Sequence, residues 1–149
     1  MNDESRQPIF NAPWPAVAVT LVIVVGYFLQ TLAPQGLLLR ALAFSPAALG
    51  DGRWPTLFTA IFLHGSWAHA LMNAGAALAF GTPVARYFGL GPRGVLVFVA
   101  FYLLCGGLAS LGYGLSNPQS TALMVGASGA VSGLVGGATR LMGGHGRPG

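Results

Sequence analysis

The 149-residue chain is 54% hydrophobic and only 7% charged, and its formal net charge is +4 at pH 7. Soluble domains average roughly 25% charged residues, so this composition excludes an ordinary soluble domain and indicates a membrane protein. All seven basic residues are arginines dispersed along the chain. Because they form no cluster, the positive charge does not indicate a nucleic-acid-binding surface, and no nucleic-acid partner is expected.

Membrane spans are predicted from three long windows without charged residues, at 7–39, 54–85 and 94–139. About 20 apolar residues cross a bilayer, so the first two windows hold one span each and the third has room for two. The first span is expected to stay in the protein, because Leu32-Ala33-Pro34 is a poor site for signal cleavage. We therefore predict an all-α, polytopic helical bundle with four spans, near residues 14–33, 66–83, 95–113 and 120–141.

The arginines predict the orientation of these spans. With four spans, the N-terminus, the 84–94 loop and the C-terminus lie on one side, which carries five arginines against two on the other. The arginine-rich side is the cytoplasmic one by the positive-inside rule. We expect an integral multi-pass protein of the bacterial inner membrane, with a cytoplasmic tail, a membrane domain and a glycine-rich tail at residues 1–13, 14–142 and 143–149.

Residues 34–65 form a connection that is too long for a simple turn and too apolar for a solvated loop. We expect it at the outer membrane interface, where Trp54 and Trp67 suit the headgroup level. One helix from 56 to 81 would be roughly 39 Å long, more than the ~30 Å hydrocarbon core. A helix break is therefore predicted at His64-Gly65-Ser66.

His69 and Asn73 follow this break and, being four residues apart, project from the same face of a helix that starts near Ser66. His64 lies outside that register. Polar side chains at the mouth of a span are costly in lipid and indicate a functional site. The alternative is that they form hydrogen bonds that only hold helices together. No metal site is expected, because the histidine spacing departs from the helical zinc motif.

Ser128 belongs to a second cluster, in a stretch of small residues at the outer end of the predicted fourth span. Glycines recur there every fourth residue, at Gly129, Gly133 and Gly137. By itself this pattern indicates helix packing, and Ser132 and the only cysteine, Cys105, are also expected to be packing residues. However, the predicted topology puts Ser128 on the same side and at the same depth as His69 and Asn73. The two clusters therefore predict one site.

These residues resemble the rhomboid intramembrane serine proteases. Gly126-Ala127-Ser128-Gly129 matches the family's Gly-x-Ser-Gly nucleophile motif, and His64-x4-His69-x3-Asn73 matches its second-span motif. The resemblance covers about residues 50–141, with Ala85 standing where the family commonly has an acidic residue. A Gly-x-Ser-x-Gly hydrolase elbow is excluded because position 130 is alanine.

The resemblance implies an endopeptidase that cleaves transmembrane segments of membrane proteins in the lipid bilayer, without a cofactor. Ser128 would be the nucleophile, and His69 and Asn73 would stabilise the oxyanion together with the Ser128 backbone N–H. Gly126 would allow a close approach of the backbone at the nucleophile. His64 would line the site.

The general base of rhomboids is a histidine on a sixth span, and only about four of the six core spans are predicted here. His145 follows Ser128 by 17 residues, roughly 25 Å along a helix, so it is not expected to be the base. One hypothesis is that the natural chain continues and that this chain alone has little activity. The other is that the chain is a catalytically dead rhomboid-like protein that binds transmembrane segments.

Overall fold

The computed structural model describes residues 11–143, and within that range the chain forms helices joined by turns and extended segments, without a β-strand. This confirms the predicted all-α class. The described α-helices are α1 (Trp14–Leu32), α2 (Leu37–Leu42), α3 (Thr56–Thr59), α4 (Trp67–Phe88), α5 (Pro92–Ser116) and α6 (Ser128–Gly143). Single turns of 3-10 helix lie at Pro46–Leu49 and Ala60–Phe62. Most of both predicted tails, with His145, lies outside the described residues.

Two of the described helices, α1 with 19 residues and α5 with 25, are long and apolar enough to cross a membrane. Both have a proline in the first turn. Proline is tolerated there because backbone N–H groups of the first turn have no acceptor within the helix. Helix α4 has 22 residues, but it carries His69, Asn73 and Arg86, which lower its hydropathy. The described part of helix α6 has 16 residues, roughly 24 Å at ~1.5 Å each.

Close contacts fix the relative directions of α1 and α4. Gly81, late in α4, faces Ala16 near the start of α1. The Thr20 hydroxyl lies 3.4 Å from the carbonyl oxygen of Ala74, earlier in α4. The two helices are therefore antiparallel, and the end of α1 lies beside the start of α4.

Helix α6 lies between α4 and α5. Its Leu134 faces Gly81 of α4, and its Gly137 faces Val84 one turn further along, so α4 and α6 are parallel. The starts of α4 and α6 therefore lie at the same end of the bundle, as the end of α1 does.

The predicted glycine stripe of α6 packs against α5. Gly129 faces Ala109 and Gly133 faces Cys105, so the two helices run antiparallel. A Cβ placed on Gly129 would lie 2.5 Å from the Ala109 Cβ, which is far inside van der Waals contact. The absence of side chains along the stripe therefore sets the separation of α5 and α6.

The fourth helix of the bundle begins later than predicted. Residues 120–127 are not helical, and α6 starts at Ser128 rather than near residue 120. Phe44 and Met124 exchange two backbone hydrogen bonds, of 3.1 and 2.7 Å, and the Gly126 N–H donates to the Ala60 carbonyl at 2.9 Å. These bonds satisfy backbone groups that a helix would otherwise pair internally, and they hold the segment extended.

Helix α4 also differs from its prediction, because it continues through Pro83 to Phe88 instead of ending near residue 83. Val84 and Ala85, just past the proline, are 2% and 0% exposed. Their burial in the core outweighs the loss of one backbone hydrogen bond at Pro83.

The connection at 34–65 is folded rather than open. Phe44, Leu57 and Ala60 are buried in a second, small apolar core. Trp54 remains exposed, as its predicted interfacial position requires. The predicted helix break is confirmed, because the 3-10 turn ends at Phe62 and α4 begins at Trp67.

The α5–α6 contact gives a prediction for stability. Gly133→Ala should lower the free energy of unfolding by about 1–3 kcal/mol, the usual cost of overpacking, because its Cβ would lie 2.5 Å from the Cys105 Cβ. Gly112→Ala, in α5, is the matched control, since a Cβ there meets nothing within 4 Å. It should leave stability unchanged or raise it by up to ~1 kcal/mol through helix propensity. Thermal unfolding in detergent measures both variants, and equal effects would contradict the packing assignment.

Candidate active site

The site lies where the start of α4 meets the start of α6. Ser66 caps α4, its side-chain oxygen accepting the His69 backbone N–H at 3.1 Å. This cap starts the helix just after the predicted break and sets the direction in which His69 and Asn73 project. Both side chains face Gly126, as expected for residues four apart on one helix face.

Gly126 makes this approach possible. Its φ is +117°, a conformation that residues with a Cβ rarely adopt. A Cβ on Gly126 would lie 2.6 Å from His69 Cε1 and 3.7 Å from the Asn73 side-chain nitrogen. Glycine is therefore required here both for the backbone conformation and for the contact with His69.

Asn73 is 7% exposed, and among the described residues its side-chain nitrogen Nδ2 has no hydrogen-bond partner. An unpaired buried amide donor is rare because leaving it unmatched costs about 1–3 kcal/mol. This donor lies beside Gly126, two residues before Ser128. The Asn73 side-chain N–H is therefore free to donate to a bound molecule.

His64 joins the cluster although it lies outside the helical register of His69 and Asn73. It is 1% exposed, and its Nε2 accepts the Ala127 backbone N–H at 3.5 Å. Its ring packs edge-on against His69, with centroids 5.1 Å apart. Burial lowers the pKa of His64 to about 4, and the neighbouring charge of His69 adds to this effect. His64 is therefore neutral near pH 7.

Ser128 is the first residue of α6, and its side chain is exposed. The first intrahelical bond runs from the Val131 N–H to the Ala127 carbonyl, at 2.8 Å. The N–H groups of the first turn, including that of Ser128, have no carbonyl partner within the helix. The helix dipole also makes this end favourable for negative charge.

A cavity of about 100 Å³ lies beside Ser128. Ser110 of α5 and the glycines at 126 and 129 are among its lining residues. The cavity is lined by α5 and by the segment that leads into α6, and neither His69 nor Asn73 is among its lining residues.

The structure brings together four of the five residues predicted for the site, His64, His69, Asn73 and Gly126. Ser128, the fifth, follows Gly126 by two residues and is exposed. The structure also adds one that the sequence analysis missed. Gln30, near the end of α1, makes two hydrogen bonds to the backbone of His64. A polar side chain in the last turns of a mostly apolar span is the signal that could have found it.

The family model of the rhomboid domain matches residues 51–144. The chain belongs to the rhomboid family. A comparison with curated proteins found no match. The match to the rhomboid domain includes α3 to α6 and all five predicted site residues, whereas α1 and α2 precede it. Together with the two apolar helices, it identifies a polytopic helical membrane protein of an intramembrane protease family.

The contact at Gly126 gives a prediction. Gly126→Ala should lower the free energy of unfolding by about 2–4 kcal/mol, because alanine is strained at this positive φ and its Cβ would collide with the His69 ring. Gly52→Ala is the matched control, since Gly52 has φ +77° but no atom within 4 Å of an added Cβ. This control should lower the free energy of unfolding by only about 1 kcal/mol, the cost of placing alanine at a positive φ.

A double-mutant cycle isolates the contact between the two residues. In a His69→Ala background the Gly126→Ala substitution should cost about 1–2 kcal/mol less than in the parent, as measured by denaturation in detergent. Additive effects of the two substitutions would contradict the contact.

The low pKa of His64 predicts a pH dependence. An unfolded histidine has a pKa of 6.5, whereas folded His64 has one of about 4. Between these values the unfolded chain binds a proton that the folded protein does not, so stability should fall as the pH falls from 6.5 to 4. The loss should be at most roughly 3 kcal/mol. Unfolding in detergent at several pH values measures it, and the same slope in His64→Gln would contradict the assignment.

Proposed function

We propose that Ser128 is the nucleophile of an intramembrane serine endopeptidase that cleaves transmembrane segments of other membrane proteins. The observation that carries the proposal is the unpaired amide of buried Asn73 beside Gly126, close to an exposed serine at a helix start. Membership of the rhomboid family supports the same reaction class.

In this mechanism the Ser128 oxygen attacks the carbonyl carbon of a substrate peptide bond, and its proton passes to a base. Negative charge then develops on the carbonyl oxygen and must be met by donors already in place. Asn73 Nδ2, His69 and the Ser128 backbone N–H supply them. The C–N bond breaks as the amine takes a proton, and water hydrolyses the acyl-enzyme to free Ser128.

His64 is not the base in this proposal. Its Nε2 is occupied by the Ala127 N–H, and burial keeps its pKa near 4. We assign the base to a histidine outside residues 11–143, carried by a further span that covers the exposed side of α6. That side is formed by small residues: Ser128, Ser132, Gly136 and Thr139.

The proposed orientation follows from the arginines at the two ends of the bundle. Arg86, Arg93 and Arg140 lie at the end opposite the site, whereas Arg40 and Arg53 lie in the connection at the site end. The positive-inside rule then puts the N-terminus in the cytoplasm and the site near the outer face of the membrane. Substrates would be cut near the outer end of their spans.

The nucleophile is tested with an alkyl fluorophosphonate, which phosphonylates activated serines with loss of fluoride. The protein is expressed from its natural gene, in membranes, and the adduct is located by mass spectrometry. We expect the parent and Ser132→Ala to be labelled and Ser128→Ala not to be, because Ser132 lies one turn along the same exposed face. Labelling of Ser128→Ala equal to the parent would remove Ser128 as the nucleophile. Absence of labelling in the parent would favour the catalytically dead, segment-binding alternative.

Asn73 gives a second, quantitative prediction. Asn73→Ala should slow Ser128-dependent cleavage by roughly 10²-fold, the order found when one oxyanion donor is removed. Cleavage of a single-span reporter protein in proteoliposomes measures the rate. Ala79, an exposed position on the same helix, provides the control Ala79→Ser, which should cleave at the parental rate. An unchanged rate in Asn73→Ala would exclude the residue from the oxyanion site.

A further inference from the structure

Gln30 binds the backbone of His64 with both ends of its side-chain amide. Its Nε2 donates to the His64 carbonyl at 2.8 Å, and its Oε1 accepts the His64 backbone N–H at 3.0 Å. A paired donor and acceptor on one planar group fix orientation as well as distance. Gln30 thus pairs with His64 as a neighbouring β-strand would.

This pairing lies at the helix break before α4, where the chain has no helical hydrogen bonds of its own. His64 is between the 3-10 turn that ends at Phe62 and the start of α4 at Trp67. A second contact from α1 joins the same place, because Tyr27 packs edge-on against Trp67 with centroids 4.9 Å apart. The end of α1 therefore holds the segment that carries His64.

Gln30 is connected to Ser128 through two contacts. Gln30 fixes the backbone of His64, and the His64 ring contacts both the Ala127 N–H and the His69 ring. Ala127 is the residue that precedes Ser128 and accepts the first helical bond of α6. A shift of His64 would therefore change the position of the α6 start relative to His69.

The neighbouring polar side chain, that of Thr31, makes no such connection. Thr31 donates only to the carbonyl of Phe28, within its own helix, at 2.6 Å. Because Gln30 lies in α1, it is also outside the segment matched by the rhomboid domain model, which begins at residue 51. The role of Gln30 is therefore inferred from its hydrogen bonds to His64.

We propose that Gln30 is a positioning residue, which holds His64 against the start of α6 and so fixes Ser128 relative to His69 and Asn73. The inference rests on Ser128 being the nucleophile. It makes α1 a functional part of the site rather than only a membrane anchor.

The test compares Gln30→Leu, which keeps the side-chain bulk but makes neither bond, with Thr31→Val as the control. Two readouts are taken on the detergent-solubilised protein: the pH titration of the His64 ring by ¹⁵N NMR, with the Ala127 amide shift, and the rate of alkyl fluorophosphonate labelling. The first readout does not depend on activity. The thermal unfolding midpoint identifies any general loss of stability.

In Gln30→Leu we expect the pKa of His64 to rise by about one unit or more toward 6.5, because the ring is no longer held in its buried place. The Ala127 amide resonance should shift, and labelling should slow by about 10- to 100-fold, as small displacements of catalytic groups do. Thr31→Val should match the parent in the pKa of His64, the Ala127 amide shift and the labelling rate. A His64 titration and Ala127 shift equal to the parental ones would overturn the inference, as would unchanged labelling despite a displaced His64.

Gln30→Glu decides the question if Gln30→Leu does not fold. The carboxylate can still accept the His64 N–H but cannot donate to its carbonyl. The His64 titration and the labelling rate should therefore change in the same direction as in Gln30→Leu. Parental values in both would overturn the inference. If Ser128→Ala is labelled as fast as the parent, the proposed function fails, and the His64 titration still decides whether Gln30 positions the ring.

Discussion

The contact between Gly126 and His69 is the constraint on which the site depends. The start of α6 can approach α4 only because position 126 has no side chain and adopts a φ of +117°. This approach places Asn73 and His69 beside the turn that leads into Ser128. With any larger residue at 126, the two helices would have to separate, and the polar groups would no longer face one another.

Polar backbone near the membrane must find partners within the protein, and the connection at 34–65 supplies them. The bridge between Phe44 and Met124 and the bond from Gly126 to Ala60 hold the segment before α6 extended. Since no water is present in a bilayer core, such irregular backbone persists only where the protein satisfies it. The folded connection is therefore part of the support of the site.

The position at which α6 begins and the glycines along one of its sides both matter for the site. Because the helix begins at Ser128, the serine stands at a helix N-terminus, where unpaired N–H groups and the dipole favour negative charge. The glycines on one side bring α5 into close contact, while the opposite side, with Ser128 and Ser132, stays exposed. Helix α6 thus packs through its glycine side and, in the proposed mechanism, carries the nucleophile at its start.

The sequence by itself determined the helical class, the helix break at 64–66 and the position of Ser128 at the same end of the bundle as His69 and Asn73, because these depend on composition, local spacing and span length. It did not determine where α6 begins, that α4 passes through Pro83, or that Gln30 reaches His64. Each of these depends on partners distant in the chain: the Phe44 bridge, the burial of Val84 and the end of α1. Hydrogen bonds and burial between distant segments override local preference, and only the tertiary structure contains them.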